Sequence, residues 1–189
     1  MATIDLLTHV LAPEGEGHYC IVGLRQDEAR PKQTFHATLA DAEAQIDKLL
    51  QEKCNVYFAC AKYKDPSEGS IQPNGSIIKA FWIDVDCGLG KPYADQAEGL
   101  SALKEFCAKV HLPLPTVVNS GRGIHAYWIL TSVIDRLQWK PVAERLKALC
   151  EEHEFFAFQN PGYFHNKSRP VQRGSHNVDG EHSASKRPR

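Results

Sequence analysis

A net charge of any size is missing. The 22 Lys and Arg against 23 Asp and Glu leave −1. No global field draws in nucleic acid or an anionic membrane, so any such site must be local. Long apolar runs are missing too, and none approaches the roughly 18 residues that span a bilayer. The opening residues, MATIDLLTHVLAPEGEG, lack a basic start and are acidic, which argues against a signal peptide and for the cytoplasm. No two of the six cysteines, Cys20, Cys54, Cys60, Cys87, Cys107 and Cys150, form a CxxC pair. They are expected as reduced, buried small hydrophobes rather than disulfides or a zinc site. No repeat and no His-x-His occurs. What remains is ordinary: 189 residues, 42% hydrophobic and 24% charged, enough for one compact domain with or without an appendage.

The periodicities predict an α+β chain. Residues 3–11 read as a short helix, and 18–25 and 32–37 as strands. Thr38, with Asp41 three positions on, reads as the start of a helix carrying Leu39, Ile46, Leu49 and Leu50 on one side. Residues 56–63 and 76–86 are strands around a loop that contains Pro73-Asn74-Gly75. A helix over 95–110 buries Leu100, Leu103, Phe106, Cys107 and Val110. A short strand, the turn Ser120–Gly123 and a strand over 124–130 follow. A last helix over 138–152 has Trp139, Val142, Leu146 and Leu149 on one side. The total is roughly seven strands and four helices, with the helices on one face of an antiparallel sheet. From about residue 158 the chain holds six Lys and Arg against two acids and few branched aliphatics, so 158–189 is expected to be a basic, disordered tail.

Two segments carry candidate chemistry. In FWIDVD (81–86) the alternation puts Asp84 and Asp86 on one face and Phe81, Ile83 and Val85 on the other. Two neighbouring carboxylates repel, and their ionisation away from water is costly unless something positive joins them. A hard divalent cation with oxygen ligands, Mg²⁺ or Mn²⁺, suits the pair; the alternative is a pair of edge-strand acids facing water. In NSGRGIHAYW (119–128), Gly121 and Gly123 flank Arg122 in a tight turn. Backbone N–H groups of such a turn can converge on phosphate, and Arg122 can grip one bidentately. His125 and Tyr127 share a face, opposite Ile124, Ala126 and Trp128. The other reading of His125 is a hydrogen-bonded sheet histidine.

Two apparent motifs are decoys. Gly121, Gly123 and Ala126 satisfy GxGxxA, but that fingerprint must open a helix and AYWIL reads as strand. GLGK (88–91) hints at a P-loop, yet Val85 stands where a glycine is needed and Pro92 follows the lysine.

Together, a strand carrying hDhD, a helix, and a strand–SGxGxH–strand hairpin resemble the archaeo-eukaryotic primase superfamily, most closely the primase-polymerases of phages and plasmids. The resemblance rests on FWIDVD and SGRGIHAYW and covers about residues 55–152. It implies a catalytic domain over 1–157, with an N-terminal αβ unit to about residue 65 and an RRM-like unit over 66–157. It implies that Asp84 and Asp86 hold two Mg²⁺ or Mn²⁺ ions for nucleotidyl transfer. His125, helped by Ser120 and Arg122, would contact the phosphates of an incoming NTP or dNTP over a single-stranded DNA template. Lys91 is a further candidate for phosphate; otherwise it is a solvated loop lysine. No helicase motif is present, so unwinding would fall to a replicative helicase on another chain.

The chain departs from the family at its third motif, a hydrophobe followed by an acid and then a Pro-Gly-Thr-like segment, expected soon after Glu152. Ile134-Asp135 and Val178-Asp179 have the right letters in the wrong places. Glu151, Glu152 and Glu154 read as a solvated helix end. The abrupt change near Ala157 leads to the hypothesis of a slipped reading frame; if neither alternative frame encodes the missing segment, the tail is genuine. A two-aspartate site would bind metal weakly. The competing function is a degenerate RRM-like module that holds single strands, with Trp82, Tyr127 or Trp128 stacking on bases and the tail adding salt-sensitive affinity. A replication-initiator nuclease would want the His-hydrophobe-His pair that the chain lacks.

Overall fold

The computed structural model describes residues 3–13, 15–25, 30–70, 72–121 and 123–157. Arg122 and the tail from 158, with Val178-Asp179, lie outside them. Helix α1 (Thr3–Val10) precedes strands β1 (His18–Leu24) and β2 (Lys32–His36). Helix α2 (Leu39–Gln51), β3 (Asn55–Tyr63) and β4 (Gly75–Asp86) follow. Helix α3 (Gln96–Lys109), β5 (Thr116–Asn119), β6 (Gly123–Asp135) and α4 (Arg136–Glu152) complete the described chain. The result is the mixed α+β architecture expected, with six strands among the described residues against the roughly seven expected for the chain. They form one sheet in the order β2-β1-β3-β4-β6-β5, with every neighbouring pair antiparallel.

Local chemistry sets the element boundaries. Thr38 caps α2 by accepting from the Asp41 N–H at 3.1 Å, the arrangement its sequence predicts. Asp95 caps α3 through the Glu98 N–H, and the Glu98 carboxylate accepts from the Ala94 N–H. Helix α4 starts two residues earlier than its apolar spacing suggests, because Asp135 and Gln138 form a reciprocal capping box. Its buried stripe is Trp139, Ala143, Leu146 and Cys150. That i, i+4, i+7, i+11 line leaves Val142 on the margin, where it is exposed. All six cysteines are free and buried, as expected.

Helix α2 packs on β1, where Leu49 lies over Gly23. Helices α3 and α4 pack on β4 and β6; Gly99 of α3 sits against Cys87, Val85 and Ile124. The ladder between β3 and β4 is short, with Ala61 facing Ile78 and Tyr63 facing Gly75. Just past that ladder, the fully buried Trp139 donates its indole N–H to the Ala80 carbonyl at 3.0 Å. Its ring stacks on both Phe81 and Trp82, at centroid separations of 5.8 and 5.1 Å. One side chain of α4 thus supports β4 immediately before its two aspartates. No helix among the described residues is long and apolar enough to cross a membrane.

Candidate functional site

Strand β4 is central, between β3 and β6, so its carboxylates are not edge-strand acids. The β4–β6 register sets Trp82 opposite Tyr127, Asp84 opposite His125 and Asp86 opposite Gly123. Because side chains alternate, this pairing gathers Asp84, Asp86 and His125 on one face. On the other, Val85 and Ile124 pack under α3. Close approach of the two strands depends on Gly123, since a Cβ there would fall on the Val85 carbonyl oxygen. Gly123→Ala is therefore expected to cost about 1–3 kcal/mol, by forcing β6 away from β4 beside Asp86. A lowered urea midpoint checks this, and an unchanged midpoint would contradict it.

The site is strongly differentiated. The Asp84 side chain is 25% exposed and that of Asp86 54%. Burial first, then the negative charge of Asp86, pushes the Asp84 carboxyl up to about 6, with Lys91 opposing. Burial holds His125 down at about 4 against the pull of Asp86. The 3.6 Å contact from His125 Nε2 to Asp84 Oδ1 is therefore not an ion pair at neutral pH: the imidazole is neutral there. Edge-on packing against Tyr127, with centroids 6.3 Å apart, holds the His125 ring. Lys91 Nζ lies 2.6 Å from Asp86 Oδ2.

The turn that leads into β6 is built around Asn119, whose role the sequence reading missed. Its side-chain oxygen accepts from the Gly121 N–H at 2.7 Å and from Gln96 Nε2 at 2.9 Å. The first contact is an Asx-type turn, which the Asn-Ser-Gly letters could have signalled. The second ties the turn to the start of α3 and depends on tertiary placement. Half-buried Ser120 closes the turn through its backbone N–H to the Gly123 carbonyl at 3.0 Å. The structure thus brings Asp84, Asp86, Lys91 and His125 into one cluster with Ser120 in the adjoining turn. The chain after Gly123 is strand, so the GxGxxA letters bind no dinucleotide in the usual way.

Among the described residues, two acids and a neutral imidazole make up the donor set at this site. Among the described residues, no group of three or more His, Cys, Asp or Glu side chains is arranged to hold a metal. Asp135 is ruled out as a third ligand by position. It pairs with Ile77, seven residues before Asp84, about 23 Å along the strand, and its carboxylate caps α4. Asp95 and Glu98 are occupied in capping α3. Glu151 and Glu152 pair with Lys147 and Arg145 on the helix surface, and Glu154 is exposed, as a solvated helix end requires. Beyond α4 the chain comes back to the loop between β4 and α3, where the Phe156 N–H donates to the Tyr93 hydroxyl and the Tyr93 carbonyl accepts from the Gly88 N–H.

The expectation of base-stacking aromatics needs correction. Trp82 and Tyr127 are only 3% and 1% exposed, with Trp82 covered by Trp139, so neither offers a face to a base. Trp128 is half-buried, and its indole N–H is committed to the Pro113 carbonyl at 2.7 Å.

No protein-family model matches the chain, and no curated protein matches it by sequence. Among solved structures, the AEP domain of the cyanophage S-2L primase-polymerase (PrimPol) is similar in fold, with a TM-score of 0.58 and 18% identity. The match covers 85% of this chain and 76% of that one. The chain has a primase-polymerase-like fold.

Proposed function

We propose that this chain is a DNA primase/polymerase-like nucleotidyltransferase domain, which adds NTPs or dNTPs to a primer or initiating nucleotide on a single-stranded template. One observation carries the reading. On a fold shared with a primase-polymerase domain, the central strand presents Asp84 and Asp86 on one face, with His125 directly across from Asp84. The oxygen-only carboxylate pair fits Mg²⁺ or Mn²⁺, and a cation there would relieve the cost of ionising the half-buried Asp84. When bound, such ions activate a primer hydroxyl and neutralise the leaving pyrophosphate.

The protein's own groups have distinct tasks. Asp84 and Asp86 hold the cation from the floor of the site. Neutral His125 donates a hydrogen bond to a phosphate oxygen without adding charge. The turn Asn119–Gly123, tied to α3 by Gln96, fixes where Ser120 and the start of β6 meet the triphosphate, and Arg122 is assigned to the same phosphates. With two carboxylates, metal affinity is expected to be weak and turnover impaired. In this reading the units divide near residue 65, a basic tail follows residue 157, and a replicative helicase on another chain opens the duplex. The competing single-strand-binding module loses support with the burial of Trp82 and Tyr127.

Equilibrium dialysis of a nucleoside triphosphate with and without Mn²⁺ tests the reading. Binding is expected to require the metal and to vanish in Asp84→Ala/Asp86→Ala. Metal-independent binding, or binding unchanged in the double variant, would contradict it.

A further inference from the structure

The loop between β4 and α3 is unusual in being anchored at its base and open at its tip. Cys87 bridges to Tyr93, both are buried, and the Gly88 N–H donates to the Tyr93 carbonyl at 2.8 Å. The Tyr93 hydroxyl is fixed in turn by the Phe156 N–H. Between these anchors the chain turns through Gly88 and Gly90, at φ +111° and +74°, and Leu89 stands fully exposed. The Lys91 N–H closes the turn on the Gly88 carbonyl at 3.0 Å. The backbone at Lys91 is thus held in place, while its side chain is 46% exposed.

That side chain places its ammonium 2.6 Å from Asp86 Oδ2, one of the two oxygens that Asp86 offers a divalent cation. A half-exposed Lys–Asp pair contributes little to stability, so the contact is easily exchanged. A divalent ion on the same oxygen would outcompete and repel the ammonium. From its fixed backbone position, Lys91 would then meet the negative charge that arrives with the metal.

We propose that Lys91 is an exchangeable counter-ion. It holds Asp86 until a divalent cation displaces it, and then passes to the phosphates of the incoming nucleotide, so that metal entry and triphosphate binding are coupled through one side chain. This inference rests on the proposed nucleotidyltransferase reading and adds a positioning role that a simple phosphate contact would not have. A phosphate contact alone predicts weaker nucleotide binding on removal of Lys91 and nothing for the metal. An exchangeable counter-ion predicts opposite effects on the two.

The test uses Lys91→Met, which keeps length and removes charge, with Lys91→Arg and Asp84→Ala/Asp86→Ala as controls. Binding of Mn²⁺ alone is followed by the electron paramagnetic resonance signal of the free ion. Lys91→Met is expected to bind Mn²⁺ about three- to five-fold more tightly than wild type at low salt, and the gap should narrow at high salt. Lys91→Arg should resemble wild type. In saturating Mn²⁺, Lys91→Met should bind a non-hydrolysable nucleoside triphosphate several-fold more weakly. Mn²⁺ affinity unchanged or lowered in Lys91→Met, while the double aspartate variant loses Mn²⁺, overturns the role of Lys91 alone. Mn²⁺ binding that survives in the double variant overturns the underlying site as well.

Discussion

Asp84→Asn is expected to make the protein harder to unfold at neutral pH while abolishing the Mn²⁺ binding proposed for this site. The Asp84 carboxyl is pushed from 3.8 up to about 6, chiefly by burial and then by Asp86. A carboxyl raised in the folded state holds its proton more tightly there than in the unfolded chain. Its contribution to stability is fully present below the unfolded value and lost as pH rises through about 6. Above that, the folded protein carries an ionised carboxylate in a poorly solvated place. At ~1.4 kcal/mol per pH unit, the shift corresponds to on the order of 2–3 kcal/mol, and the residual exposure of the side chain lowers this toward about 2 kcal/mol.

Asparagine keeps the shape and cannot ionise. It should raise the melting temperature at pH 7.5 by about 4–8 °C, and the gain should shrink toward zero as pH falls from 6 to 4. His125 works in the opposite sense. Its folded value near 4 means its contribution is present above the unfolded value and lost as pH falls through about 4. It is common to both proteins, so their difference mainly reports Asp84, although the two side chains touch and are partly coupled. A residue whose removal stabilises the fold while a ligand is lost is retained for what it binds. Thermal melts of wild type and variant at pH 4.5 and 7.5 decide the matter; an equal or lower melting temperature for the variant at pH 7.5 would show that Asp84 is not a strained acid.

Trp139→Ala should be the most damaging single substitution in the described chain. The side chain is fully buried and stacks on Phe81 and Trp82. Truncating such a residue costs about 3–5 kcal/mol. The Ala80 carbonyl also loses its indole donor, which adds about 1 kcal/mol or more if no water replaces it. Against a total stability of about 5–15 kcal/mol for a domain of this kind, the loss leaves a substantially unfolded population. Trp139→Phe keeps most of the packing and loses only the donor, so it should fall by about half as much or less. Urea denaturation separates the two, because midpoints should rank wild type, Phe, Ala. If Ala unfolds within about 1 kcal/mol of wild type, the indole is not the support of β4. The functional consequence follows from geometry: Trp82 precedes Asp84 on the same face of one strand, so a relaxed Trp82 moves the floor of the site.

Much of this arrangement was legible in local sequence pattern. The alternation in FWIDVD assigned the faces of β4, and its apolar flanks indicated a central strand. The Thr38 cap, the α3 stripe and the turn after Asn119 are likewise properties of neighbouring residues. What escaped was tertiary. The pairing of Asp84 with His125 and the contact from Lys91 to Asp86 exist only once β6 lies beside β4 and the loop folds back. Trp139 read as one apolar residue in a stripe, with nothing to show that it would lie between Phe81 and Trp82. Alternation correctly put Trp82 and Tyr127 on the carboxylate face, but says nothing about what covers that face. The apolar alternation of β6 stops at Leu130, yet the strand runs to Asp135, because Thr131, Ser132 and Val133 are exposed there and need no apolar side chain. Asp135 was weighed as a metal ligand while its capping partner Gln138 stood three residues away.

Mn²⁺-dependent nucleotide incorporation on primed and unprimed single-stranded templates tests the central claim most directly, with Asp84→Ala/Asp86→Ala run alongside. Incorporation by the wild type that disappears in the double variant is the expected result, and its low rate would reflect the two-carboxylate site. A folded wild-type protein that binds single strands but incorporates no nucleotide in Mn²⁺ would contradict the claim and leave a fold without its chemistry.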